Sequence, residues 1–267
     1  MIKPKGEITS LKDLNQVTQS IKENAIKLEN CSPYYRGHGN NDYKLISSIA
    51  RFSSDTKYLG EVEKKLIDDL KSETHKENKN DYFCIPKKVT GFDKDWYWLT
   101  QAQHLGIPTR LLDWTISNEI ALYFAVDSKN CKNKDGDLWV FFVPDEFNIY
   151  NQLERTSSIK PFQAEKDLFI NIPTFWNEKY EINEPQRNIL NQQGKFFMRN
   201  ILKSLTPLEE DQQYQKYLWR FTIPASSKNK ILIELGQLNY SKVTIYKTFD
   251  KKMNSIKEKL IKTYKLS

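Results

Sequence analysis

The residues able to do chemistry in this 267-residue chain gather in three short polar islands within apolar sequence. The first is SPYYRGHGN, residues 32–40, where Arg36 stands between tyrosines and glycines. A guanidinium in that setting can present its planar N–H fork to a phosphate, and Gly37 and Gly39 would let a ligand approach the backbone closely. The second is QAQHLGIPTRLLDWT, residues 101–115. There Gln103, His104, Thr109, Arg110, Asp113 and Thr115 interrupt a stretch suited to a core. Polar groups buried in this way need partners or a ligand. The third is PQRNILNQQGKFF, residues 185–197, in which Arg187, Gln192 and Gln193 precede a candidate strand. Plainer explanations exist for the same residues: a loop arginine at 36, and an internal Arg110–Asp113 pair beside a hydrogen-bonded core His104.

Other chemistries are excluded by spacing. Gly37-His38-Gly39 lacks the further glycine and lysine of a phosphate loop, and no GxSxG elbow occurs. The three His and three Cys fall at no zinc-like spacing, and no acidic cluster suits a two-metal centre, so no metal is expected.

The elements that must position these islands can be read from periodicity. Ser10 caps a helix carrying Leu11, Leu14, Val17, Ile21, Ala25 and Leu28 at helical spacing. A second amphipathic helix is expected over 59–74. Residues 93–126 read as a helix to Leu105, a turn at Gly106-Ile107-Pro108, a short segment through Leu111 and Leu112, and a buried helix from Asn118 to Asp127 capped by Ser117 or Asn118. Leu138–Val143 reads as a fully buried strand, with further strands at Lys195–Arg199 and Tyr217–Ile223. A helix after Pro224 is expected to end at Gly236. From Lys251 an amphipathic helix carries six Lys and one Glu, leaving the rest of the chain close to neutral within the total of +7.

With 39% hydrophobic and 28% charged residues, the composition is that of a globular chain and not a collagen-like or disordered one. Cys31, Cys84 and Cys131 are odd in number and widely spaced, which points to free thiols in a reducing cytoplasm. Neither a signal peptide nor a membrane span is expected. The reading is one α+β domain: a helical lead-in over 1–29, a main body over 30–250, and a basic helix over 251–267 packed on or appended to it.

YRGHG, QAQHLGIPTRLLDWTISNEIALYFA and PQRNILNQQGKFF resemble, in order, the signature blocks of the FRG domain, a family of bacteria and phages named for its Phe/Tyr-Arg-Gly motif. Tyr35, Arg36 and Gly37 match that motif, and the resemblance covers roughly residues 30–250.

Block order also resembles, more distantly, ADP-ribosyltransferases of the arginine–serine–glutamate type. That resemblance implies a split mixed or antiparallel sheet flanked by helices, with NAD as substrate. It gives Arg36 the first-strand role, Asp113-Trp114-Thr115 the second and the segment around Gln193 the third. Cleaving NAD creates a cationic ribosyl centre, which positioned hydroxyl, amide or carboxylate groups can stabilise. Arg36 would hold the pyrophosphate, and Trp114 or Tyr123 would stack on nicotinamide. Gln103, His104, Thr109 and Arg110 complete the expected binding set. The third block supplies Gln192 and Gln193 where a glutamate is usual, and Glu184 precedes a proline. Two readings therefore stand: an NAD-cleaving transferase acting as a toxin or anti-phage defence effector, and a non-catalytic nucleotide- or nucleic-acid-binding module. RNA or DNA, brought by the basic tail, and an antitoxin or activating protein are the partners implied.

Overall fold

Along residues 136–144 every side chain is buried, with Leu138, Val140 and Phe142 alternating against Trp139, Phe141 and Val143. A strand that is apolar on both faces must lie inside a sheet covered on both sides. The computed structural model describes residues 2–28, 31–76, 94–144, 148–149, 160–163, 166–170, 192–245 and 251–266. Its strands are β1 (Cys31–His38), β2 (Leu111–Thr115), β3 (Gly136–Pro144), β4 (Asn148–Ile149), β5 (Leu168–Ile170), β6 (Gly194–Met198) and β7 (Leu218–Ile223). They form one α+β sheet in the order β4-β5-β6-β2-β1-β3-β7, antiparallel except for the short β4–β5 pair.

The helices are α1 (Leu11–Lys27), α2 (Thr56–Lys76), α3 (Lys94–Leu105), α4 (Asn118–Val126), α5 (Gln212–Gln215), α6 (Lys228–Gln237), α7 (Lys242–Ile245) and α8 (Lys251–Thr263). One face of the sheet carries two separate apolar cores. Leu14 and Ile21 of α1, Leu122 and Val126 of α4, and Ile231 and Leu235 of α6 pack on Leu138, Val140 and Phe142 of β3. Leu66 and Leu70 of α2, Trp96 and Leu99 of α3, and Ile256 and Leu260 of α8 pack on Leu111, Phe196 and Met198. The opposite face is an aromatic cluster, with Phe141 5.3 Å from Phe197 and 5.7 Å from Tyr214 between ring centroids.

The two cores stand over two halves of the sheet that barely touch. β1 and β3 pair from Cys31↔Pro144 to His38↔Asp137. Between β1 and β2 the register contains one pair, Tyr35↔Thr115. The hydrogen-bonded order is continuous, and the split expected of the sheet is this single-pair seam.

Most anticipated elements are present. Ser10 caps α1 by accepting from the Asp13 N–H, and Ser117 caps α4 by accepting from the Ile120 N–H. Gly236 does not end α6, which runs to Gln237. The left-handed residue there is Asn239 at φ 65°, and the Tyr240 N–H returns to the Leu235 carbonyl. The basic helix α8 is docked: Ile256, Leu260 and Leu266 are buried, the Tyr264 hydroxyl donates to Asp69 at 2.7 Å, and Lys259 pairs with Glu73 at 2.8 Å.

Gly37 sets how closely α4 can lie on β1. A Cβ there would overlap the Ala121 carbonyl oxygen and come within 2.7 Å of the Ala125 nitrogen. Both obstacles are helix backbone, which cannot swing aside. Gly37→Ala should therefore cost about 3 kcal/mol or more of stability, at the upper end of overpacking effects. Gly236→Ala, where nothing lies within 4 Å, should be neutral or slightly stabilising. Chemical denaturation of the two variants side by side checks the contrast.

Candidate functional site

A cavity of about 350 Å³ opens over the seam, between the two cores. Its floor is made by Tyr35, Asp113, Thr115, Gly194 and Phe196 from β1, β2 and β6. The register explains why these five share a face: Tyr35 pairs with Thr115, Thr115 with Gly194, and Asp113 with Phe196. One wall is the end of α3, with Gln103 and His104, and the other is Ala121 and Phe124 of α4. Gln192 closes one side.

Arg36 alternates to the opposite face of β1 from Tyr35 and Gly37, yet its guanidinium also reaches this cavity. Past the Tyr35↔Thr115 pair the strands splay, and the side chain fills the gap. Its Nη1 donates to the Asp113 backbone carbonyl at 2.5 Å and lies 3.8 Å from the Asp113 carboxylate, while Nε donates to His38 Nε2 at 3.0 Å. An arginine side chain thus takes the place of the missing ladder bonds.

A directed chain of hydrogen bonds holds the Asp113 carboxylate. The Leu111 N–H donates to the Thr109 hydroxyl at 3.1 Å, and that hydroxyl donates to Gln103 Oε1 at 2.5 Å. With its oxygen so committed, the Gln103 amide must turn its NH₂ to Asp113, donating to Oδ2 at 2.7 Å. The Thr115 hydroxyl is likewise fixed, accepting from the Ser117 N–H at 3.1 Å and donating to the Gln192 carbonyl at 2.7 Å.

Burial works against charge here. It pushes the Asp113 carboxyl up, against the downward pull of Arg36 and Gln103, and lowers Arg36, against the upward pull of Asp113. About 49% of the Asp113 side chain is uncovered, and Asp113 lines the cavity, so a ligand there would meet the carboxylate directly. His38 is held neutral, well below the usual imidazole range, by burial and then by Arg36. His104 is lowered to about 4 by burial, and its Nε2 is buried without a partner among the described residues.

The structure brings Tyr35, Arg36, Gly37, Gln103, His104, Asp113, Trp114 and Thr115 to one cavity. Four expected site residues lie elsewhere. Thr109 stands behind Gln103 in the relay. Arg110 is buried against Glu63 of α2, which accepts from its Nε and its backbone N–H, both at 2.6 Å, so no Arg110–Asp113 pair forms. The Tyr123 hydroxyl donates to Asp127 at 2.7 Å, away from the cavity, which its neighbour Phe124 lines instead. Gln193 is exposed on a turn at φ 48°, and Gln192 is the glutamine at the cavity. Glu184 and Arg187 lie outside the described residues. Glu63 was legible in retrospect, a lone carboxylate in the apolar stripe of Leu59, Val62, Leu66 and Ile67. Phe124 had a weaker signal, sharing a helical face with Ala121.

Two neutral buried imidazoles make stability depend on pH with a defined sign. Below about 6.5 the unfolded chain binds a proton at His104 that the folded chain refuses until about 4. Stability should therefore fall as pH drops through that window, by about 1.4 kcal/mol per pH unit for one such proton. The raised carboxyls of Asp113 and Asp137 act in the opposite sense. The readout is accordingly the difference between wild type and His104→Phe: the variant should gain on wild type from pH 6.5 to 4 in denaturation experiments, and the gap should be constant above pH 7.

Comparison with known families matches residues 32–134 to the FRG domain. No curated protein and no solved structure matches the chain. The matched stretch holds β1, α3, β2 and α4, and with them both Arg36 and the Thr109–Gln103–Asp113 relay, while Gln192, Gly194 and Phe196 come from beyond it. Over that stretch, less than half of its length, the chain is similar to the FRG domain.

Proposed function

We propose that the seam cavity binds the nicotinamide–ribose part of NAD and that the protein is an ADP-ribosyltransferase-like enzyme. The observation that carries this reading is the oriented carboxylate. Asp113 lines the cavity with its Oδ2 fixed by Gln103 and a guanidinium 3.8 Å away. A ribosyl centre that becomes cationic as nicotinamide leaves is stabilised by a carboxylate already in place, because nothing need reorganise at the moment of reaction. Asp113 then supplies the acid that the glutamines of the third block do not. In this reading Thr115 and Gln192 line the ribose. Phe124 and Phe196 offer ring faces to nicotinamide. Arg36 spends two of its donors on His38 and the Asp113 carbonyl, and its remaining N–H groups are available to the first phosphate. The volume, about 350 Å³, suits this half of the dinucleotide, with the adenosine half extending out of the cavity.

In this reading ADP-ribose passes to a macromolecular target in a toxin or anti-phage defence setting. A nucleic-acid target and control by an antitoxin or activating protein follow from the same reading.

One observation favours the alternative, a nucleotide-binding module without catalysis. Burial pushes the Asp113 carboxyl up, which works against the negative charge that a developing cation requires beside it. The two readings separate with NAD labelled in the nicotinamide ring. An enzyme releases free nicotinamide, and Asp113→Asn should slow release about 100-fold or more while NAD affinity changes only a few-fold. A binder holds NAD and releases nothing. Absence of both binding and release, in protein shown to be folded, would exclude the dinucleotide altogether.

A further inference from the structure

A second guanidinium is held at the splayed end of the seam. β1 leaves the seam at His38 where the antiparallel β2 enters it at Leu111, and the chain that follows β1 returns to that same end. There the Ser48 hydroxyl donates to the Thr109 carbonyl at 3.2 Å and accepts from the Thr109 N–H at 3.1 Å. The Ile49 N–H donates to the same carbonyl at 3.2 Å. Ile49 and Ala50 are buried, and Arg51, the last residue of this 3₁₀ turn, is exposed. Thr109, which pins the turn, is also the residue that orients Gln103 behind Asp113. The backbone that carries Arg51 is thus fixed to the same framework as the cavity carboxylate.

Among the described arginines, Arg51 is the one without a carboxylate. Arg36, Arg110, Arg199 and Arg220 each stand against an aspartate or a glutamate. The acid nearest to Arg51 in sequence, Asp55, is occupied at the start of α2, accepting from the Lys57 and Tyr58 N–H groups at 2.9 and 3.2 Å. What Arg51 does meet is positive charge. Arg36 is lowered by burial, against the pull of Asp113, and then by the charge of Arg51. His38 is lowered by burial, then by Arg36, and again by Arg51. Two guanidinium groups that oppose one another, both with N–H donors to spare, are relieved by an anion that carries charge at two adjacent centres.

We propose that Arg51 binds the second phosphate of the dinucleotide, on its adenosine side, so that Arg36 and Arg51 hold the pyrophosphate between them. The inference rests on the reading of the seam cavity as the nicotinamide–ribose site, in which the first phosphate falls to Arg36. A planar fork can meet two oxygens of one phosphate at once, which a lysine in the same place could not do. The consequence is selectivity for the whole dinucleotide. Nicotinamide mononucleotide would fill the cavity and reach Arg36, but it carries no second phosphate for Arg51.

The test is calorimetric titration of the full chain with NAD and with nicotinamide mononucleotide. Wild type should bind NAD more tightly than the mononucleotide. Arg51→Gln should weaken NAD binding at least about tenfold and leave the mononucleotide within about twofold. Arg51→Lys, which keeps the charge and loses the fork, should recover part of that loss. Lys57→Gln removes a positive charge from an exposed position nearby and should leave both ligands within about twofold. All variants are first shown to melt as wild type does. NAD binding unchanged in Arg51→Gln, equal loss of both ligands, or an equal loss in Lys57→Gln would overturn the inference and leave the reading of the cavity standing. Failure of wild type to bind either ligand would instead overturn that reading, and the inference with it.

Discussion

Everything at the centre of this protein depends on how a sheet is held together where its ladder stops. β1 and β2 meet at Tyr35↔Thr115 and then diverge, leaving backbone groups that would ordinarily pair. Arg36 answers that need by donating to the Asp113 carbonyl. A guanidinium is suited to the task because it spans a gap that a direct backbone bond cannot, and it keeps donors to spare. The divergence that requires the arginine is also what opens the cavity. Site and seam are one feature, and the charge that bridges the strands lines the void between them.

The arrangement around the seam is stiff on both sides. Arg110, the first residue ahead of β2, is locked to Glu63 of α2 through both its side chain and its backbone N–H, and both residues are buried. A buried pair of this kind adds little net stability, but it fixes position, since breaking one partner strands the other charge. On the other side, Gly37 admits the α4 backbone at a distance no side chain would allow. The wall helix α4, and α2, which shares a core with the other wall helix α3, are therefore referenced to the two seam strands. Preorganisation of the Asp113 carboxylate is a consequence of these packing constraints and of the Thr109–Gln103 relay, with no further device needed.

Sequence patterns revealed much of this and missed particular parts for physical reasons. β3, α1, α2 and α4 were legible because each buries a continuous stripe or both faces, so periodicity reports their environment directly. β1 was hidden: Pro33, Arg36 and Gly37 break any alternation, because the strand serves a seam on one edge and a close helix contact on one face. Arg36 and the 103–115 island were identifiable as polar groups out of place, and the structure brings them together. The partners of Arg110 and Asp113 were not identifiable, since a local pairing three residues apart looked sufficient, whereas Glu63, which holds Arg110, lies 47 residues away and Arg36, which lies against Asp113, 77 residues away. Gln192 and Gln193 could not be told apart because the choice rests on one left-handed residue, Gln193 at φ 48°, which turns its own side chain outward.

The position of the acid follows from the same logic. In the proposed reading, a carboxylate beside a developing cation needs to be desolvated enough to act strongly and charged enough to act at all. Burial pushes the Asp113 carboxyl up. Two opposing influences are built against it: the Gln103 NH₂, whose orientation Thr109 dictates, and the Arg36 guanidinium. Neither partner is itself free to move away, since Arg36 bridges the seam and Gln103 is held from behind. The pull of Arg36 on Asp113 is thereby tied to the closure of the sheet. Anything that spreads β1 from β2 would draw Arg36 away and remove one of the two influences that oppose burial, so the packing of the central strands and the acidity of the cavity carboxyl are linked.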